Sequence, residues 1–314
     1  MTMAFDKSLL EKVVSQAHAD TNGLQGGANA SYIPYLASVP SELFGLAAVT
    51  TSGEIFTAGD AKFEFAIESI SKVFTMALAM EEVGAEVFRS KIGADPTGEA
   101  FNSVIALELH GDRPLSPLVN AGAIATTSLV TAKGKEDRYQ KILGIQSAFA
   151  GRSLSMSTEV NESEQSTNFH NRALAWLMQN AGAMYSEPMD AVEVYTRQCS
   201  TLITTVDLAV MGATLASGGI NPLSGERVIK DAHVAPILAE MMMEGLYTAS
   251  GDWAYTVGIP GKSGVGGGIL AVVPGKLAIA AFSPPLDPVG NSVRAQAAVA
   301  KVAEQLGLNI FRPA

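Results

Sequence analysis

The chain has 314 residues, of which 47% are hydrophobic and 17% charged, a composition typical of a globular protein with a large core. Its formal net charge of −10 and its pI near 4.9 argue against nucleic acid or an anionic membrane as a partner. Cys199 is the single cysteine, which excludes an intramolecular disulfide and favours a reducing compartment. We find no secretory signal and no apolar run of 18 residues, so a soluble, cytoplasmic protein is expected.

The N-terminal part of the chain predicts one helix and one hairpin. An amphipathic helix is predicted over residues 5–18 from the spacing of its apolar residues. The apolar face of that helix consists of Leu9, Leu10, Val13 and Val14. A Gly/Asn loop at 23–30 follows. Two apolar runs around Thr51-Ser52-Gly53 then predict a β-hairpin over 43–60.

The middle of the chain, from Ser69 to about Gly219, reads as almost wholly helical because Ala, Leu and Met dominate it. Four loops interrupt these helices, at 93–98, 111–117, 133–136 and 151–164. A further helix is predicted over 233–245.

The C-terminal part returns to strands. A Gly-rich loop at 261–268 precedes two apolar runs joined by Pro274-Gly275, which predict a second hairpin over 269–282. Asn291 is predicted to cap a closing helix that ends near Leu306.

Strands at both ends of the chain enclose this helical middle, which predicts an α/β (α+β) fold. Two hairpins about two hundred residues apart most simply pair into one antiparallel sheet that is flanked by the terminal helices. We therefore predict a single domain of two lobes: a sheet lobe formed by 1–68 and 225–314, and a helical lobe formed by 69–224. The helix of Ser69 would begin at the junction of the lobes, where clefts for small molecules are common.

Ser69 and Lys72 form the sequence Ser-x-x-Lys, which occurs once in the chain, at the start of an apolar stretch. Residues three apart share a helix face, so the hydroxyl and the amine can meet. A buried lysine shifts its pKa readily, and a neutral amine can take the proton of a nucleophilic serine. The alternative is that Ser69 caps a helix while Lys72 is solvated. The apolar neighbours of Lys72 favour the functional interpretation.

Other motifs are incomplete. Gly261-Lys262-Ser263 resembles the end of a phosphate-binding loop, but Thr256 stands where that loop needs a glycine. The glycines at 264–268 lack the dinucleotide-binding spacing and precede a predicted strand. The sequence contains no Gly-x-Ser-x-Gly elbow. No metal or cofactor is predicted, because the four histidines lack ligand spacing: His18, His110, His170 and His233.

A second motif accompanies the Ser-x-x-Lys pair. Lys262-Ser263-Gly264 matches the Lys-(Ser/Thr)-Gly triplet that lies on a strand opposite the nucleophile in Ser-x-x-Lys acyl-transfer enzymes. The pair of motifs, with the order of hairpins and helices, resembles a bacterial-type glutaminase over nearly the whole chain. That resemblance implies a β-lactamase/transpeptidase-like fold. The strings that carry it are Ala30-Ser31-Tyr32-Ile33-Pro34, Glu68-Ser69-Ile70-Ser71-Lys72, Pro117-Leu118-Val119-Asn120-Ala121-Gly122-Ala123, Ser163-Glu164, His170-Asn171-Arg172-Ala173, Val194-Tyr195, Gly245-Leu246-Tyr247, and Ala254-Tyr255 through Ile269.

Two small departures from the family pattern are present. Ser31 occupies a position where an acidic residue is common in the family. Leu118 follows Pro117 at a position where an aromatic residue is frequent. Neither touches a group to which the resemblance assigns chemistry.

The resemblance implies hydrolysis of L-glutamine to L-glutamate and ammonia. It makes Ser69 the nucleophile, Lys72 the general base and Tyr247 a proton carrier. The backbone amides of Ser69 and Val265 would form the oxyanion hole, with Glu164 binding the α-ammonium group of the substrate. The whole implied substrate-binding set is Tyr32, Ser69, Asn120, Glu164, Asn171, Tyr195, Tyr247 and Val265, and Lys262 and Ser263 support it. A homo-oligomer, tetramer or dimer, is also implied.

Taken without the resemblance, these residues have ordinary alternatives. Glu164 could be a solvated loop acid, Asn120 could cap a helix, and Asn171 could lie on a solvated helix face. The tyrosines could lie at the boundary of the core, and Lys262 could be a surface lysine beside a turn. At the level of the whole protein, two other functions remain open. One is another Ser-x-x-Lys hydrolase, such as a β-lactamase, a penicillin-binding protein or an esterase. The other is a non-catalytic glutamine-binding module.

Overall fold

The computed structural model describes residues 6–312. The helices are α1 (Lys7–Thr21), α2 (Pro34–Ser38), α3 (Ser71–Val83), α4 (Ala85–Ile92), α5 (Val104–Glu108), α6 (Asn120–Leu129), α7 (Lys135–Ala150), α8 (Thr158–Gln165), α9 (Phe169–Asn180), α10 (Pro188–Cys199), α11 (Thr205–Ala216), α12 (Asp231–Glu244), α13 (Ser250–Thr256) and α14 (Val293–Gln305). The strands are β1 (Gly45–Thr50), β2 (Ile55–Gly59), β3 (Phe65–Ala66), β4 (Ser155–Met156), β5 (Thr201–Ile203), β6 (Gly261–Ser263), β7 (Gly268–Val273) and β8 (Leu277–Phe282).

Five strands form the main sheet in the order β2-β1-β8-β7-β6, and every neighbouring pair is antiparallel. Both predicted hairpins are therefore confirmed. They pair through β1 and β8, with Gly45 opposite Phe282. This arrangement confirms the predicted single antiparallel sheet built from distant parts of the chain.

The central strands are buried on both faces, because helices cover the sheet on each side. Along β7, Leu270 and Val272 pack into a core shared with α3, α6, α7, α10 and α11, whereas Ile269 and Ala271 pack into a second core shared with α1 and α14. Near-continuous apolar strands are expected for a sheet covered on both faces. Helix α11 approaches the sheet closely at Gly212, where a Cβ atom would lie 2.4 Å from Leu270 Cδ1.

A second, three-stranded sheet in the order β3-β5-β4 was not predicted. Its strands have only two or three residues, too few to show a period-two pattern. This small sheet brings three segments together. Strand β3 runs towards Glu68 and Ser69, β4 precedes α8, and β5 directly follows α10.

Several element boundaries differ from the prediction. The first helix extends to Thr21, and Leu9 on its predicted apolar face is 47% exposed; the predicted start at Phe5 lies outside the described residues. Residues 151–164 were predicted to form a loop, but residues 158–164 belong to helix α8. The predicted Gly-rich loop 261–268 is a strand over its first three residues.

The predicted N-cap of the closing helix is also wrong. Ser292, not Asn291, caps α14 by accepting a hydrogen bond from the Ala295 amide. Asn291 instead donates a hydrogen bond to the carbonyl oxygen of Leu246 at 3.2 Å. It thereby supports the turn that presents Tyr247.

Candidate active site

Ser69 lies in a 3₁₀ turn, Glu68–Ile70, that runs directly into α3 at Ser71. The serine thus precedes the α-helix that was predicted to contain it. Glu68 has a φ of 51°, in the left-handed region, which costs a non-glycine residue about 1–3 kcal/mol and is frequent at functional sites. Ser69 and Lys72 are 7% and 1% exposed. The alternative of a solvated Lys72 is therefore wrong.

The amine of Lys72 belongs to a buried polar network centred on Asn120. Lys72 Nζ donates to Asn120 Oδ1 at 2.7 Å, and the Tyr195 hydroxyl donates to the same oxygen at 3.1 Å. Asn120 Nδ2 donates to Asn171 Oδ1 at 2.9 Å. Burial lowers the pKa of Lys72 to about 8, because the charged amine loses its hydration. The neutral amine is therefore far more abundant near physiological pH than in an ordinary lysine, while the protonated form still predominates.

Tyr247 and Lys262 lie against each other beside Ser69. Tyr247 occupies a second 3₁₀ turn, Tyr247–Ala249, with a φ of 57°. Lys262 Nζ lies 4.5 Å from the centroid of the Tyr247 ring and donates to the carbonyl oxygens of Gly245 at 3.0 Å and Ser263 at 2.7 Å. Burial raises the pKa of Tyr247, and hydrogen bonds with Ser69 and Ser263 partly oppose that rise. The Lys-Ser-Gly strand β6 therefore lies next to the Ser-x-x-Lys serine.

The turn between β6 and β7 packs on the segment that leads into Ser69. A Cβ atom on Gly266 would lie 2.6 Å from the carbonyl oxygen of Ala66, and one on Gly264 would lie 3.0 Å from that of Ile67. Only glycine permits this approach. Among the hydrogen bonds of residues 6–312, neither the Ser69 amide nor the Val265 amide donates to a partner. Two backbone amides without a partner are thus available as donors, one on Ser69 itself and one in the turn that packs on the segment before Ser69.

Glu164 lies on α8 and faces Glu68. Desolvation raises the pKa of Glu164 to about 7, while hydrogen bonds from Glu68 and Ser200 partly oppose that rise. Burial raises the pKa of Glu68 well above its ordinary value, and the charge of Glu164 raises it further. The alternative of an ordinary solvated acid at Glu164 is therefore wrong.

The only group of three metal-ligating side chains found in the described part of the chain is Glu68, Glu164 and Cys199, whose ligand atoms lie within 4.8 Å of one another. Metal binding requires deprotonated ligands. Burial raises the pKa of the Cys199 thiol and of the Glu68 carboxyl, which disfavours the deprotonated forms that a metal ion needs. We therefore interpret the group as a polar cluster of the site.

Predicted binding residues line a small polar pocket. A cavity of about 180 Å³ is lined by Tyr32, Asn120, Glu164 and Asn171 together with Phe101 and other residues. Tyr32 and Phe101 also line an adjoining cavity of about 480 Å³, which includes Val265. A larger groove of about 790 Å³, between the β1–β2 turn and α11, contains no predicted site residue. Convergent polar groups favour the smaller pocket as the binding site.

Two residues of this site were missed by the sequence analysis. Phe101, whose ring is tilted against that of Tyr247 with the centroids 4.9 Å apart, lies in a stretch that was predicted to be helical and contains no motif. Glu68 belongs to one of the strings that carry the family resemblance, but the resemblance assigns it no role. Its position next to Ser69, where an acid precedes an apolar stretch, was the available signal.

Comparisons with known proteins match this architecture. A family model described as Glutaminase matches residues 27–311. A glutaminase of Mycobacterium ulcerans (strain Agy99) is 66% identical over 302 residues, which cover 96% of this chain and 94% of the relative. A glutaminase of Brucella canis is 65% identical over 309 residues, 98% of each chain.

Two solved structures have the same fold as this chain. The structure of the probable glutaminase ybaS superposes with a TM-score of 0.97 at 62% identity, covering 98% of this chain and all (100%) of that one. Mglu, solved in its glutamate form, superposes with a TM-score of 0.92 at 37% identity, covering 99% of this chain and 71% of Mglu. The chain belongs to the glutaminase family, and it is an amidohydrolase with a β-lactamase-like fold. The predicted resemblance is confirmed.

Proposed function

We propose that this protein hydrolyses L-glutamine to L-glutamate and ammonia through an acyl-enzyme on Ser69. The observation that supports this mechanism is the grouping of buried Ser69 with Lys72, whose pKa burial lowers, and with Tyr247, which hydrogen-bonds with Ser69. Amide hydrolysis needs a nucleophile and a stabiliser of the developing oxyanion. The backbone amides of Ser69 and Val265, which have no partner among the described residues, are assigned the second role.

The acylation step uses groups in the site described above. Ser69 Oγ bonds to the γ-carboxamide carbon while neutral Lys72 accepts the hydroxyl proton, and the two amides hold the negative oxygen. Collapse of this intermediate breaks the C–N bond. The nitrogen leaves as ammonia after receiving a proton through the Tyr247 hydroxyl, which its raised pKa keeps protonated.

Deacylation reverses the roles. Water bonds to the acyl carbon, giving up its proton through Tyr247, and the bond to Ser69 Oγ breaks. Glutamate leaves and Ser69 regains its proton from Lys72. Lys262 and Ser263 support Tyr247 through the contacts of β6.

Recognition of the amino-acid end of glutamine is assigned to the polar pocket. Glu164 holds the α-ammonium group, and the donors around the α-carboxylate and the amide are Tyr32, Asn120, Asn171 and Tyr195. The relative Mglu, solved in its glutamate form, supports an amino-acid ligand in this fold. A site built from buried polar groups rejects analogues that lack their partners.

The direct test of this function is a coupled glutamate assay with glutamine and asparagine side by side. We expect glutamine to be hydrolysed with the higher kcat/KM, because Ser69 and Glu164 set the distance between the reacting carbon and the ammonium group. Turnover of the β-lactam nitrocefin without turnover of glutamine would instead favour another Ser-x-x-Lys hydrolase. Thermal stabilisation by glutamine without its consumption would favour a binding module.

Glu164→Gln is expected to raise KM for glutamine by about 30-fold or more, since removal of one partner from a desolvated ion pair costs about 2–5 kcal/mol. The value of kcat should change far less, because Glu164 does not touch the reacting carbon. Steady-state kinetics measure both. Glu162→Gln, on the exposed face of the same helix, is the matched control. A collapse of kcat at unchanged KM would refute the recognition role.

Activity is expected to rise with pH. Lys72, with its pKa lowered to about 8, gains its neutral form as pH rises through that value, so kcat increases. Glu164, with its pKa raised to about 7, loses its negative charge as pH falls through that value, so KM increases on the acid side. Kinetics across this range measure both limbs. A kcat independent of pH would contradict the role of Lys72.

We further propose that the protein is a cytoplasmic homo-oligomer, either a dimer or a tetramer. Each chain would consist of two lobes, a sheet lobe formed by 1–68 and 225–314 and a helical lobe formed by 69–224. The buried, unpaired thiol of Cys199 fits a reducing compartment. Among the described residues, no helix has the length and hydropathy needed to cross a membrane. Light scattering should give two or four times the chain mass of 32.7 kDa; a single chain mass would contradict the oligomer.

A further inference from the structure

Glu68 is a buried acid that the mechanism above does not use. It is 3% exposed and is held in a left-handed backbone conformation at the residue before Ser69. Its side chain packs against the β6–β7 turn, where Cβ atoms on Gly264 and Gly266 would lie 3.3 Å and 3.1 Å from its Cβ and Cγ. A buried carboxyl group in a strained backbone conformation next to the candidate nucleophile calls for a functional explanation.

The hydrogen bonding of Glu68 indicates that it carries a proton. A carboxyl oxygen of Glu68 lies within 4.8 Å of one of Glu164, and no donor among residues 6–312 reaches the Oε1 atom of Glu68. Ionised carboxylates have only acceptors, so two carboxyl groups can bond to each other only when one of them is protonated. Glu68, the more buried of the two, is the better place for that proton.

The titratable groups around this pair leave it with one negative charge. Besides Glu164 on α8, the groups that face Glu68 are Lys72 on α3, Cys199 on α10, Tyr32 before α2 and Tyr247 before α13. Cys199 and both tyrosines are neutral near physiological pH because burial raises their pKa, and Lys72 is uncharged in the form that acts as the base. The pair therefore matches a ligand that brings one additional positive charge and hydrogen-bond donors.

We propose that protonated Glu68 is the second carboxyl group of the ammonium subsite: it donates to Glu164, holds that carboxylate in place, and accepts a hydrogen bond from the α-ammonium group through Oε1. This inference rests on the proposed function, in which Glu164 binds the ammonium group. An ammonium group has three donors, so it can serve both carboxyl groups at once. Glutamine binding thereby supplies the missing donor to a buried oxygen.

The test compares Glu68→Gln with Glu68→Met, each combined with Ser69→Ala so that calorimetry with glutamine reports binding alone. The side chain of the Glu68→Gln variant retains a donor for Glu164 and an acceptor for the ammonium group of the substrate. The side chain of the Glu68→Met variant has a similar length but neither a donor nor an acceptor of that kind. We expect Kd within about threefold of the Ser69→Ala parent for Glu68→Gln, and at least about tenfold weaker binding for Glu68→Met. With Ser69 intact, KM should follow the same order, and kcat should change less.

A spectroscopic measurement keeps the proposal testable if Glu68→Met does not fold. The infrared difference spectrum between the unsubstituted protein and Glu68→Gln at neutral pH should contain the C=O stretch of a protonated carboxylic acid. Its absence would overturn the protonated state. If folded Glu68→Gln and Glu68→Met bind glutamine equally well, the role of Glu68 is overturned. The ammonium subsite itself would still stand if Glu164→Gln weakens glutamine binding. Unchanged binding by Glu164→Gln would instead remove the ammonium subsite, and with it the recognition part of the proposed function.

Discussion

Ser69→Gly abolishes glutamine hydrolysis, with kcat lower by a factor of about 10⁴ to 10⁶, the range found when a serine nucleophile is removed. The physical reason is that loss of the Ser69 hydroxyl removes the nucleophile, so the acyl-enzyme cannot form. The protein should stay folded, because the substitution removes one small side chain and its hydrogen bond with Tyr247, a loss of about 1–3 kcal/mol. Glutamate production and circular dichroism measure the two outcomes.

Ser71→Ala is the matched control for this substitution. Ser71 is also buried, but its hydroxyl accepts a hydrogen bond from Gln198 Nε2 at 3.3 Å and contacts Cys199 Sγ at 3.6 Å. Its loss should lower the free energy of unfolding by about 1–3 kcal/mol while most of kcat remains. Glutamine turnover by Ser69→Gly near the rate of Ser71→Ala would refute the assignment of the nucleophile.

Lys72→Met is expected to lower kcat by a factor of about 10² to 10⁴, the usual contribution of a general base. Lys72→Arg should not restore activity, because a guanidinium group stays protonated and cannot accept the Ser69 proton. The free energy of unfolding should remain similar or rise in Lys72→Met, since an apolar side chain of similar volume replaces a buried amine.

Steady-state kinetics and thermal unfolding of the Lys72 variants provide the measurements. Lys141→Met, at a lysine that is 39% exposed on α7, is the matched control and should retain full activity. A Lys72→Met enzyme with more than about a tenth of the original kcat would show that another group takes the proton.

The sheet could be predicted from the sequence because its evidence is local. The apolar runs of β1, β7 and β8 are six residues long, and turn residues such as Gly53 and Gly275, with φ of 83° and 72°, mark where the chain reverses. The meeting of Ser69 with the strand of Lys262 followed from the two motifs and their order, and the structure places the two next to each other.

What could not be predicted depends on contacts between distant segments. Strands β3, β4 and β5 are too short to have a pattern of their own, yet they bring Glu164 on α8 to Glu68. Burial raises the pKa of each carboxyl, and the contact with Glu164 raises that of Glu68 further. Neither the burial nor the contact is visible in the string around Glu164. Glu164 was therefore predicted in a loop, and Glu68 received no role.

Trapping the covalent intermediate tests the central claim most directly. Enzyme mixed with glutamine, quenched in acid during turnover and digested, should yield one peptide that carries a γ-glutamyl group, with fragmentation placing that group on Ser69. The same experiment with Ser69→Ala should give no labelled peptide. Rapid release of ammonia with the γ-glutamyl group on a different residue, or continued turnover by Ser69→Ala, would contradict the account.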